Sequence, residues 1–161
     1  MKLLGMIGFF VVGLPVMLLL AGQLGLLAGK TPKNLGLHGG RLLPPSNTSN
    51  SVSSQAGLYP DHPQRVDASI APLRYAGDGK AALQRLAQLL QRTQGTVLVR
   101  QESGYLYAQC HTALLKFTDD LEFALDESAR VIHVRSASRL GQKDFGANRQ
   151  RVQSLRAQFE P

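Results

Sequence analysis

Two short stretches in the last third of the chain set the strongest limit on its fold. Leu121, Phe123 and Leu125 alternate with Asp120, Glu122 and Ala124, and Ile132 and Val134 alternate with Val131, His133 and Arg135. A period of two is the pattern of a strand with one buried face. Asp126, Glu127, Ser128 and Ala129 tolerate a turn, so the two strands are expected to close a hairpin. Its register must join the apolar faces, because a slip of one residue would turn every apolar side chain to water. That condition sets Phe123 opposite Ile132 and Leu121 opposite Val134. Glu122 then faces His133, and Asp120 faces Arg135, on the other side of the sheet. Opposite charges paired across a solvated face contribute only ~0.2 to 1 kcal/mol each.

After the hairpin, Arg135 to Gly146 reads as a turn-rich connection, and Asp144 is placed to cap a final helix by accepting its free N–H groups. In that helix Asn148, Val152, Leu155 and Phe159 share a face, with Arg149, Arg151 and Arg156 pointing outward. From Arg135 to Arg156 there are six basic residues and one acidic residue. Arg135, Ser136, Ser138, Arg139, Asn148 and Arg149 therefore form a candidate anion site, built from guanidinium groups, hydroxyls and a helix N-terminus. The alternative is that these arginines tie the helix to the acidic strand.

Upstream, Leu83, Leu86, Ala87 and Leu90 recur at helical spacing within 80–93, the mark of an amphipathic helix docked on a sheet. Thr96 to Gln101 and Tyr105 to Thr112 read as two strands joined by Glu102, Ser103 and Gly104. Leu106, Ala108 and the lone Cys110 share one face, so Cys110 reads as a small apolar residue; with no second cysteine an intrachain disulfide is excluded. Tyr105, Tyr107, Gln109 and His111 share the other face with Glu122 and His133. The order helix, four strands, helix predicts an α+β domain: a four-stranded antiparallel meander with two helices packed on one face.

The other end of the chain has a different character. From Leu3 to Gly29 the one strongly polar side chain is Gln23. As a helix this run would reach ~40 Å, enough to cross ~30 Å of hydrocarbon. It is too long for a signal-peptide core and has no Ala-x-Ala triplet after it, so an uncleaved transmembrane anchor over 1–29 is expected. Residues 30–56 read as an irregular linker, with Gly36, Gly39, Gly40, Pro44 and Pro45 followed by the polar run SNTSNSVSSQ. A second reading folds Arg41 and this run back over the domain as part of a pocket. Residues 57–161 are then the globular domain. The formal charge of +7 points to anionic neighbours, membrane headgroups first. Scattered basic residues, few aromatics and the lack of a recognised motif argue against nucleic acid.

The runs FTDDLEF and VIHVRSASRLGQKDFGANRQRVQSLR, with NLGLHGGRLLPP and NSVSSQA before them, resemble the family called domain of unknown function 1499, over roughly residues 34–158. The resemblance brings no established activity with it. It implies cysteines in many members where this chain has Pro45 and Ser51, and through them an oxidising compartment. That favours a single pass through a cytoplasmic membrane with the domain on its outer, periplasmic side.

Two functions follow as expectations. One is a noncatalytic, membrane-anchored module that holds an anionic small molecule or a cell-envelope protein through the Arg/Ser cluster. The other is a hydrolase in which Asp119, Asp120 or Glu122 works with His133, as acid–base chemistry requires a titratable pair held together. No nucleophile elbow, phosphate loop or HExxH is present. His38, His62, His111 and His133 lack metal-ligand spacing, so neither metal nor cofactor is expected.

Overall fold

Asp78 accepts the Ala81 N–H at 2.7 Å and so starts a helix, α2 (Gly79–Arg92), whose Leu83, Leu86, Ala87 and Leu90 are buried at the expected spacing. The computed structural model describes residues 9–160, and in it α2 lies on an antiparallel sheet. The sheet's four long strands are β3 (Thr96–Glu102), β4 (Tyr105–His111), β5 (Thr118–Asp126) and β6 (Val131–Ser138), each hydrogen-bonded to the next. A last helix, α3 (Ala147–Phe159), packs Val152 and Leu155 beside α2. Leu106, Ala108 and Cys110 from β4, Leu121 and Phe123 from β5 and Ile132 and Val134 from β6 meet both helices in one apolar core. The architecture is α+β, with an antiparallel sheet and helices on one face.

The sheet has six strands, not four. β1 (Ser51–Ser53) and β2 (Leu73–Arg74) are short, and both pair with β6: β1 with Arg135 to Ala137, and β2 with Val131 and Ile132. Neither shows a period in the sequence, because two or three residues are too few to carry one.

The hairpin register also differs from expectation. Phe123 lies opposite Val134 and Glu122 opposite Arg135, a shift of two residues that keeps every side chain on its expected face. The loop runs from Glu127 to Arg130, and Asp126 stays in the strand opposite Val131. Arg130 adopts φ 53, and the Asp126 carboxylate accepts the Ser128 hydroxyl at 2.6 Å and the Ala129 N–H at 2.9 Å. An aspartate that bonds its own turn in this way moves the turn one residue onward.

At the N-terminal side a π-helical turn (Phe9–Gly13) leads into α1 (Leu14–Gln23). Among the described residues no helix is long and apolar enough to cross a membrane, and positions 1–8 of the expected span lie outside those residues. The helix stops where the chain meets the domain. Gly22 is buried so tightly on Leu115 that a Cβ would come within 2.6 Å of the Leu115 carbonyl oxygen, and Gln23 donates to the Leu114 carbonyl at 3.1 Å. The stretch read as a linker is irregular up to Asn50, yet it lies on the sheet: Leu42 has no exposure, and Leu35 packs with it against Tyr105, Tyr107 and Ala124.

Replacing Phe123 with Ala would open the shared core of both helices and cost about 3 to 5 kcal/mol. Urea unfolding followed by alkylation of Cys110, whose thiol is buried, measures this directly.

Candidate functional site

Strand alternation decides where the candidate residues go. Successive side chains point to opposite faces, so Arg135 and Arg139 fall on the face away from the helices, and Ser136 and Ser138 fall beneath α3. Asn148 joins the serines: the Ser136 hydroxyl donates to its Oδ1 at 2.5 Å, and its Nδ2 donates to Ser138 Oγ at 2.9 Å. Arg149 points elsewhere, donating to the carbonyls of Asp67 at 2.7 Å and Ser69 at 2.9 Å. The six residues do not converge on one surface. They were grouped because the connection was read as beginning at Arg135, whereas β6 continues to Ser138.

The arginines face inward to carboxylates. On the outer face Asp120 is held by both Nε and Nη2 of Arg139, with contacts of 2.7 to 3.1 Å, and it accepts the Tyr107 hydroxyl at 2.7 Å. Glu122 has no exposure. Its Oε1 accepts the Tyr105 hydroxyl at 2.7 Å and the Gly36 N–H at 2.9 Å, and Arg135 reaches Oε2 at 3.3 Å. Beneath α3, Asp119 accepts from Arg151 Nη2 at 2.5 Å. Arg151 and Arg156 were expected to point outward; both fold back, Arg156 onto the Ala71 carbonyl. A guanidinium that can close on a buried carboxylate or carbonyl leaves water, because the unpaired partner would otherwise be stranded.

Ionisation follows this burial. The Tyr105 hydroxyl is pushed well above its usual range by burial first and the neighbouring Glu122 carboxylate second. Burial alone would lower the Arg139 pKa, but its hydrogen bond and charge contact with Asp120 outweigh that and raise it. Asp144 sits at the start of α3 as expected, accepting the N–H groups of Gly146 and Asn148. Those bonds outweigh the effect of burial and hold its carboxyl below the ordinary carboxylate range.

His133 is apart from all three carboxylates named with it. It lies opposite Ala124, and its ring bridges Ser54 Oγ, 3.2 Å from Nδ1, and Asp126 Oδ2, 3.6 Å from Nε2. Ser54 Oγ also accepts the Val134 N–H at 2.9 Å, which extends the β1–β6 pairing by one bond. This oxygen fixes a strand, and Asp126 fixes a turn. His133 can pass a proton between them, but a Glu122–His133 acid–base pair does not form. Among the described residues no group of His, Cys, Asp and Glu could hold a metal ion.

The open concavity lies beside His133. Two adjoining cavities of about 380 and 420 Å³ share Gly40, Gln55, Asp126 and His133. Gly39 and Gly40 form the tip of a tight turn closed by hydrogen bonds between His38 and Arg41, with φ of 59° and 79° that suit glycine. Arg41 lines one cavity and Lys80 the other. Sequence reasoning missed Ser54, Gln55 and Asp126 here; the one available signal was the NSVSSQA run, read chiefly as spacer.

These features define a small α+β module whose ionisable groups are mostly closed on one another, with one polar cleft between its N-terminal strap and its central hairpin. The chain belongs to the family described as "Protein of unknown function (DUF1499)", whose model matches residues 41–159. No curated protein and no solved structure matches the chain.

If Arg139 served mainly to capture a ligand, its loss would spare the fold. The geometry predicts the reverse: Arg139→Ala strands the buried Asp120 and costs about 3 to 5 kcal/mol, while Arg149→Ala, which releases two exposed carbonyls, costs about 1 kcal/mol or less. Paired urea denaturation curves of the two variants check this order.

Proposed function

We propose that the chain is a membrane-tethered, noncatalytic binding module on the outer side of a cytoplasmic membrane. Its ligand is a small anionic molecule, held in the cleft between the Gly39–Gly40 turn and His133. The apolar run from Leu3 to Gly29 supports the tether. The observation that carries the binding reading is the cleft itself: a concave space bordered by Arg41, Lys80 and His133, while Arg135, Arg139 and Arg151 are already occupied by carboxylates. A cleft of this size with a few convergent polar groups is where a small ligand is bound. The Asp126 carboxylate is turned into its own loop, where the Ser128 and Ala129 hydrogen bonds lower its pKa, so it repels an incoming anion less than a free carboxylate would.

Inorganic phosphate is the simplest probe. Titrated into the full chain in detergent, it should shift the His133 imidazole resonances in a saturable way. In an Arg41→Ala, Lys80→Ala variant the affinity should fall roughly tenfold or more, the cost of losing a charged hydrogen bond or two. Shifts that never saturate, or equal affinity in the variant, would remove the cleft as an anion site. Saturable shifts seen only with an envelope protein would mark a protein-binding face.

A further inference from the structure

We propose that the end of the sheet where the leader enters rests on the membrane surface, inserting Leu114, Leu140 and Phe145 among the headgroups of an anionic phospholipid bilayer. This rests on the tether reading. Hydrogen bonds gather one end of the sheet: the His111 N–H donates to Gly95, the Arg139 N–H donates to Thr118, and Asp119 pairs with Ser138. The loops that leave this end are 112–117 and 139–146. The leader arrives at both. Gly22 abuts Leu115, and a Cβ on Gly29 would lie 2.8 Å from Arg139 Cβ and 3.1 Å from Leu140.

Each loop carries an apolar side chain that the core does not take. Leu114 is 69% exposed, Leu140 44% and Phe145 97%. Phe145 also holds φ 52, a backbone conformation that costs a bulky residue energy and that no packing of its ring repays. The same end carries Lys30, Lys116 and Lys143, and none of the ion pairs among the described residues uses a lysine. The nearby acids are occupied: Asp119 and Asp120 by arginines, Asp144 by the start of α3. Exposed aliphatic and aromatic tips ringed by free lysines, beside an apolar leader, match the chemistry of an interfacial membrane contact. A cavity of about 790 Å³ between Gly22 and Ala28 of the leader and Gly95 and Lys116 of the domain leaves room there for a headgroup.

The chain contains no tryptophan, so single Trp variants report depth without background. Full-length Phe145→Trp, Leu114→Trp and, at the opposite end of the sheet, Ala129→Trp would each be reconstituted into phosphatidylcholine vesicles with and without phosphatidylglycerol. Protection of Cys110 from alkylation verifies the fold of each variant. With brominated acyl chains the first two should lose most of their emission and shift to the blue, more so with phosphatidylglycerol, while Ala129→Trp should emit as in water. Vesicle-bound chains in which Phe145→Trp and Leu114→Trp also emit as in water would overturn the proposal and leave the tether standing. Chains that fail to float with vesicles would overturn both.

Discussion

Three carboxylates within four positions of one central strand, Asp119, Asp120 and Glu122, are buried, and the rest of the molecule is arranged to satisfy them. A carboxylate removed from water is tolerable only with a cation and hydrogen bonds in place. Because neighbouring strand residues face opposite ways, the three demands are met from two sides. Asp119 draws Arg151 and fixes the roll of α3 over the sheet. Asp120 and Glu122 draw Arg139, Arg135 and two tyrosine hydroxyls on the far face.

The second face explains why the N-terminal strap belongs to the domain. Tyr105, Tyr107 and Glu122 would make a poor open surface, since pairs in water hold little energy. With Leu35, Gly36 and Leu42 above them they become an interior: the Gly36 N–H bonds Glu122, Arg135 donates to the Pro44 carbonyl, and Gln55 accepts the Leu42 N–H. Gly36 has φ 132, which lets the backbone come close enough to donate. The cleft is the gap that remains where the strap turns at Gly39 and Gly40, before it returns to pair with β6.

Elements whose own side chains repeat were legible in the sequence. The α2 stripe and the alternation in β4, β5 and β6 each bury a face, and the buried residues are those the periods name. Register was not legible, because it depends on Asp126 bonding its own turn. Nor were β1, β2 and the strap, whose polar, low-complexity residues carry no period and earn their place by partners some 80 residues away: Ser54 with His133, Gly36 with Glu122. The Arg/Ser cluster was contiguous in sequence and so looked contiguous in space. The pleat that made the strand recognisable is what divides it between two faces.

Hydrogen exchange at the Gly36 amide tests this account most directly, since that one N–H joins the strap to the buried Glu122 carboxylate. If the strap is part of the folded domain, Gly36 exchanges as slowly as the central strands, and Glu122→Gln speeds it by about tenfold or more, as a charged hydrogen bond of about 1.5 to 3 kcal/mol is weakened. Exchange at the rate of an open loop, unchanged by Glu122→Gln, would contradict the claim that the buried acids hold the N-terminal segment in place.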